Sequence, residues 1–188
     1  MRIILASKSP RREKILSNIF SEITIYNPDI EEICIDSNPE KTAQTNALLK
    51  AEIAISRFPN EYILAADTVI SFENRIIGKP TNFDHAYKIF KNLSGNKHEV
   101  ITATVFYEPF KKKTSIDICR TSVYFKSLSD QDIKEYLALV SPLDKAGGYN
   151  IDEHANLIME KIEGSKTNVM GLPIEVVRKI KDENCRKL

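Results

Sequence analysis

Cysteine and histidine are scarce in this chain, and neither sign of charge prevails. Cys34, Cys119 and Cys185 are odd in number, far apart and in no C-x-x-C arrangement. That excludes a disulfide framework or a zinc ribbon and suits a reducing cytoplasm. His85, His98 and His154 lack any short ligand spacing, so they read as surface or core residues, and any metal would be held by oxygen. The 27 basic and 26 acidic residues leave a formal net charge of +1. The broad basic face of a direct nucleic-acid binder is therefore missing, and anion binding must rest on local clusters. Arg2 is followed by only four apolar residues before Ser7, and no later run approaches the ~20 that a membrane span needs. The expectation is a soluble, cytoplasmic protein. Internal repeats, low-complexity tracts and Gly/Pro-rich linkers are also lacking, so residues 1–188 read as a single domain of two closely packed lobes.

What is present alternates. Segments 2 to 6, 62 to 72, 98 to 107 and 116 to 126 are rich in β-branched and aromatic residues and predict strands, joined by shorter ones at 23 to 26 and 157 to 162. Between them the apolar spacing is helical. Ala43, Ala47, Ala51, Ala54, Ile55 and Phe58 form one stripe from Lys41 to Phe58, with Lys50 at its edge. Residues 83 to 93, 129 to 140 and the stretch from Pro173 onward repeat the pattern. Ser129 to Asp132 approximates a capping box, and Gly95 reads as a helix stop. Glu73-Asn74 suits a hairpin turn and Lys111 to Lys113 a solvated loop. The layout predicts an α/β fold with a mixed, twisted sheet flanked by helices.

Several segments carry the means for chemistry. After the first strand, Ser7-Lys8-Ser9-Pro10-Arg11-Arg12 opens a helix with Ser9 at the N-cap and Pro10 at the first position. Two arginines in the first turn are the wrong sign for the helix dipole unless an anion sits there, which makes the turn a candidate phosphate cradle. In Tyr62 to Ile70, Asp67 interrupts a run suited to a buried strand, and a buried carboxylate must be paired, protonated or metal-bound. Gly78-Lys79-Pro80 and Asp144-Lys145-Ala146-Gly147-Gly148 each set a lysine among small residues that admit a ligand. Glu31 and Glu32 follow the strand predicted at 23 to 26 and offer oxygen to a hard cation. Arg11, Arg12, Lys50, Lys79 and Lys145 together suit a polyphosphate, with Asp67 and a glutamate holding a metal or activating water.

In order along the chain, Leu5-Ala6-Ser7-x-Ser9-Pro10-Arg11-Arg12, Ala66-Asp67-Thr68-Val69, Gly78-Lys79-Pro80, Leu93-Ser94-Gly95, Asp144-Lys145-Ala146-Gly147-x-Tyr149 and Gly171-Leu172-Pro173 resemble the Maf family. The resemblance implies a two-lobed α/β fold with a central cleft, related to the inosine triphosphate pyrophosphatases. It also implies a nucleoside triphosphate pyrophosphatase that directs water at the α-phosphate and releases pyrophosphate. Asp67 matches the family's proton acceptor, and Glu31 with Asp67 would place Mg²⁺ or Mn²⁺. Ser9, Arg12, Lys50, Lys79 and Lys145 would bind the triphosphate. Homodimers are common among such relatives, so the same is expected here.

Arg11, Thr68 and Asp152 match three positions that set base choice in the family. The surrounding motifs look like the dTTP and UTP subgroup, whereas the subgroup preferring 7-methyl-GTP departs at all three. The pyrimidine subgroup usually carries Gln where this chain has Asp152. An ionised Asp accepts hydrogen bonds without donating, so a weaker pyrimidine preference, or one extended toward cytosine, is expected. Three further readings remain: a regulatory protein linked to cell division, a nucleotide sensor without turnover, and a pyrophosphatase of 7-methyl-GTP or another non-canonical nucleotide. The near-neutral charge weighs against the first and the retention of Asp67 against the second.

Overall fold

In the computed structural model, which describes residues 1–35 and 37–185, the first apolar run forms strand β1 (Arg2–Ala6) and Pro10 opens helix α1 (Pro10–Ser17). Strand β2 (Glu22–Tyr26) leads to helix α2 (Pro39–Arg57), which starts two residues before the expected Lys41. The reason is local. The Asn38 side chain accepts from the Lys41 N–H at 3.0 Å, and Pro39 takes the first helical position, where no intrahelical N–H is needed. Strand β3 (Tyr62–Phe72) turns through Glu73 and Asn74, both at positive φ, into β4 (Arg75–Ile77). Two left-handed residues match the twist of a tight hairpin.

Helix α3 (Phe83–Leu93) ends before Gly95, and strands β5 (Lys97–Glu108) and β6 (Lys113–Phe125) form a long hairpin. Helix α4 (Asp130–Leu139) carries a complete capping box between Ser129 and Asp132. Two 3-10 turns, Pro142–Asp144 and Ala146–Gly148, precede the one-turn helix α5 (Ala155–Ile158) and strand β7 (Met159–Glu163). The last strand thus begins two residues later than its apolar content suggests, because Leu157 and Ile158 are taken into the helical turn that follows left-handed His154. Helices α6 (Lys166–Val169) and α7 (Ile174–Cys185) close the chain. Cys34 and Cys119 are free thiols, while the side chain of Cys185 lies outside the described residues. Among the described residues no helix is long and apolar enough to cross a membrane.

Seven strands among the described residues form one mixed sheet in the order β2-β1-β3-β5-β6-β7, with β4 on β3. β1 runs parallel to β2 and β3, and the other pairings are antiparallel. Register creates the feature that matters for function. β1 covers one edge of β3 only as far as Ala65, and β4 covers that edge again only from Ile70. Between them Ala66, Asp67, Thr68 and Val69 pair with β5 on one side and have no strand on the other among the described residues. The central strand therefore has a notch in its cover.

Alternation along β3 sorts its side chains between two faces. Ile63, Ala65 and Val69 pack with Ala43, Ala47, Ala51 and Ala54 of α2, where small residues let the helix approach the sheet closely. Leu64 and Ala66 pack with Ile15 and Leu16 of α1 and Val177 and Ile180 of α7 on the opposite face. A third core, built on α3 and α4, holds Ile70, Phe90, Val123, Phe125, Tyr136 and Tyr149. By the same parity Asp67 faces α2, while Thr68 faces α1.

His98 lies inside the third core, stacked edge-on against Phe125 and sharing a 2.9 Å hydrogen bond with the Tyr149 hydroxyl. Burial lowers its pKa from 6.5 to about 4. Unfolding exposes a group that binds a proton more readily, so its contribution is fully present above pH 6.5 and is lost as pH falls through 4. The expected loss is about 3 kcal/mol, from ~1.4 kcal/mol per pKa unit. Urea unfolding measured between pH 4 and 8 should show this decline in the wild type, and His98→Gln should lack that part of it.

Candidate active site

The notch opens into a cleft of about 750 Å³, within the range of ~300–1,000 Å³ usual for small-molecule sites. Ser9, Arg11, Arg12, Lys50, Asp67, Thr68, Lys79, Lys145 and Asp152 all line it. Glu31 does not line it, and Glu32 does. Segments separated by most of the chain length thus converge on four uncovered residues of β3.

The α1 end supplies anion-binding groups. Ser9 occupies the N-cap position, yet its hydroxyl makes no capping bond. The Ser9 N–H donates to Ser7 Oγ at 3.2 Å, and Pro10 has no N–H, so the N–H groups of Arg11 and Arg12 point outward without an acceptor among the described residues. Arg12 is clamped by neutral partners. Its Nε donates to the Gly171 carbonyl at 2.8 Å, Nη1 to Ser7 Oγ at 3.2 Å and Nη2 to Thr68 Oγ1 at 3.0 Å. Each terminal nitrogen keeps one N–H, which leaves a fork suited to two oxygens of one anion. Burial pulls the Arg12 guanidinium below its ordinary pKa, Asp67 and Glu32 oppose that pull, and Arg11 adds to it. A desolvated cation beside another cation is a site short of negative charge.

Lys79 and Lys145 line the same cleft, and their loops are joined. The Gly147 N–H donates to the Gly78 carbonyl at 3.1 Å, which seats the two glycine-containing segments side by side. Gly147 has φ +68, and a Cβ there would lie 2.7 Å from Ile70 Cδ1 and 3.1 Å from the Tyr149 ring. Lys145 donates to Asp144 and to the Ser141 carbonyl, whereas Arg11 and Lys79 hold no protein partner among the described residues.

The carboxylate side is organised by a polar stripe on α2. Thr42, Asn46 and Lys50 recur at four-residue intervals and so share one face. Thr42 Oγ1 accepts from the Ile35 N–H, and Asn46 both accepts from the Ile33 N–H at 2.8 Å and donates to its carbonyl at 3.0 Å. Lys50 Nζ then reaches Asp67 Oδ1 at 2.6 Å and Glu32 Oε1 at 2.7 Å. Among the described residues Asp67 Oδ2 meets only Asn46 Nδ2, at 3.5 Å, and keeps its remaining lone pairs for a ligand. Burial pushes the Glu32 carboxyl up, but the Lys50 hydrogen bond and the charges of Lys50, Lys79 and Arg12 outweigh it and hold the group below its usual value.

Asn46 was not among the residues expected from sequence. Its signal is a buried amide one turn from Lys50 on an otherwise alanine-lined helix. Of the two adjacent glutamates named from the sequence, Glu31 and Glu32, it is Glu32 that lines the cleft. Ile33 pairs with Asn46, one turn from Lys50 on α2, and Glu32 beside it reaches Lys50.

No group of three or more His, Cys, Asp or Glu side chains able to hold a metal ion occurs among the described residues. Two carboxylates, Asp67 and Glu32, do converge on one point. That donor set suits Mg²⁺, which keeps several waters and binds through one or two carboxylates together with substrate phosphates rather than in a protein cage. At the far end of the cleft, the Asp152 N–H donates to Asn150 Oδ1 at 3.1 Å, and Asn150 Nδ2 donates to Glu153 at 3.2 Å. The Asp152 carboxylate itself has no protein partner among the described residues.

The profile of the family described as Maf-like protein matches residues 2–183. The chain is 40% identical over 174 residues to a dTTP/UTP pyrophosphatase of Carboxydothermus hydrogenoformans, an alignment covering 93% of this chain and 94% of that one. It is 43% identical over 175 residues to a dTTP/UTP pyrophosphatase of Alkaliphilus metalliredigens, covering 92% and 91% respectively. In fold it is similar to the Staphylococcus aureus Ham1 protein, with a TM-score of 0.57 over 98% of this chain and all of that one at 16% identity.

Proposed function

Because this chain belongs to the family of Maf-like proteins, we propose that it hydrolyses dTTP and UTP between the α- and β-phosphates, releasing the nucleoside monophosphate and pyrophosphate. One observation carries the reading: a carboxylate whose Oδ2 meets only an amide at 3.5 Å among the described residues stands in the uncovered stretch of β3, in one cleft with Arg11, Arg12 and Lys79, which form no ion pair there.

Each part has a chemical task. Asp67 Oδ2 accepts the proton of the attacking water, and Lys50 holds Oδ1 in the nucleotide-free protein. The Arg12 fork, the free N–H groups of α1 and the Ser9 hydroxyl bind phosphate oxygens. Lys79 and Lys145 neutralise the charge that collects on departing pyrophosphate. Asp67 and Glu32 would hold Mg²⁺ or Mn²⁺, which when bound supplies further charge neutralisation on the phosphates. The reading is tested by pyrophosphate release from dTTP, UTP, CTP, 7-methyl-GTP and the purine triphosphates, with Mg²⁺ or Mn²⁺ and with chelator. Release from dTTP and UTP that chelator abolishes is expected. No release from any of them would instead favour a sensor or a regulatory protein.

Asp152 sets a second expectation. A glutamine there both donates and accepts, matching the O4 and N3–H of uracil or thymine, whereas the carboxylate accepts only. One hydrogen bond restored is worth about 1–1.5 kcal/mol, so Asp152→Gln should raise kcat/KM for UTP relative to CTP by roughly 10-fold. An unchanged ratio would assign base reading to another residue, with Asn150 the neighbour best placed for it.

A further inference from the structure

Lys50 holds a position that the proposed reaction alone does not explain. Its ammonium lies 2.6 Å from Asp67 and 2.7 Å from Glu32, and these are the two carboxylates that suit a divalent cation. A lysine meant only for phosphate would be expected to stay exposed and outside any ion pair, as Lys79 does among the described residues. This one is instead drawn inward, its side chain 11% exposed, between two acids brought together from a loop and a strand.

We propose that Lys50 is a displaceable internal counter-ion, which fills the cation position in the nucleotide-free protein and gives it up only when a metal arrives already bound to nucleotide phosphates. The proposal rests on the pyrophosphatase reading for the identity of that nucleotide.

Charge explains the order of events. With Lys50 in place, two negative carboxylates face one ammonium at contact distance, while Arg12 and Lys79 add positive potential at Glu32. A bare divalent cation entering this set meets little net attraction and must displace a hydrogen-bonded ammonium. A triphosphate reverses the balance, because it brings several negative charges and offers the ammonium new acceptors. The side chain can make the exchange. Its backbone is fixed in the middle of α2, but its four-carbon stem is flexible and its three donors rotate freely. Arg12 could not do the same, since three protein acceptors hold its guanidinium. The device holds the Asp67 side chain in place before substrate binds, and it makes metal loading depend on the nucleotide.

The test is metal binding to the nucleotide-free protein, read as free Mn²⁺ by electron paramagnetic resonance. Lys50→Met should bind one Mn²⁺ at least ~10-fold more tightly than the wild type, since a unit charge at contact distance has been removed. Adding Asp67→Asn to Lys50→Met should abolish the gain. Equal Mn²⁺ affinity in the wild type and Lys50→Met, or a gain that survives Asp67→Asn, overturns the proposal. The wild type provides a second reading that does not depend on how well Lys50→Met folds. In protein labelled with nitrogen-15 lysine, the Lys50 ammonium resonance should move when Mg²⁺ is added with an α,β-methylene nucleotide, and stay in place with the same Mg²⁺ alone. Movement with Mg²⁺ alone, or none with nucleotide that calorimetry shows to be bound, also overturns it. A nucleotide that calorimetry shows not to bind counts against the pyrophosphatase reading, and the Mn²⁺ comparison then decides the proposal by itself.

Discussion

Asp67→Asn is expected to slow pyrophosphate release by about 10²–10⁴-fold, the range associated with losing a positioned general base. Nucleotide affinity should change far less. The amide has the shape of the carboxylate and can still accept from Lys50 at the position of Oδ1, but it cannot take a proton from water. Lys50 also keeps Glu32, so its charge is not stranded in the cleft. The α2 polar stripe and the pairing of β3 with β5 do not depend on the lost charge. Single-turnover release together with calorimetric nucleotide affinity separates the outcomes. Turnover lost with affinity kept places Asp67 at the proton transfer. Loss of both would place its main action in holding metal or in the local fold.

How Asp67 comes to be tolerated shows where sequence reading reaches and where it stops. A carboxylate inside Leu64-Ala65-Ala66-Asp67-Thr68-Val69-Ile70 is conspicuous, because burial of an unpaired charge is costly. The strand itself, and those on either side, are legible from β-branched content, just as α2 and α3 are from the spacing of their apolar residues. The notch that gives Asp67 access to the cleft is a matter of register. It depends on where β1 stops and β4 begins, and no local pattern carries that. That Glu32 and not Glu31 lines the cleft is hidden for a similar reason: spacing does not separate neighbours, and Glu32 stands beside Ile33, which pairs with Asn46. Lys50 is visible at the edge of an alanine stripe, but its double ion pair needs a loop and a strand that meet only in the folded chain. The clamp on Arg12 reaches furthest, to a carbonyl 159 residues away.

That clamp makes Arg12→Lys the second large effect. The lysine keeps the charge and loses the geometry: one ammonium cannot hold the Gly171 carbonyl, Ser7 and Thr68 while presenting two parallel donors to phosphate. Hydrogen bonds to charged groups are worth about 1.5–3 kcal/mol each, so nucleotide affinity should fall on the order of 100-fold. Stability should drop by about 1–2 kcal/mol, because the Gly171 carbonyl and the Thr68 hydroxyl each lose a partner. Gly171→Ala approaches the same clamp from the other side. Gly171 has φ +101, and an added Cβ would stand 3.2 Å from Arg12 Nε and 3.3 Å from Thr68 Oγ1, so the substitution leaves the guanidinium intact but pushes its fork out of line. Arg11→Lys is the control, since Arg11 has no protein partner among the described residues and its contribution is mostly charge. If held geometry is what binds the phosphates, Arg12→Lys and Gly171→Ala weaken nucleotide binding strongly and Arg11→Lys does so only slightly. Equal losses from Arg11→Lys and Arg12→Lys would mean that the cleft reads phosphate by charge alone, with the long-range clamp serving the fold.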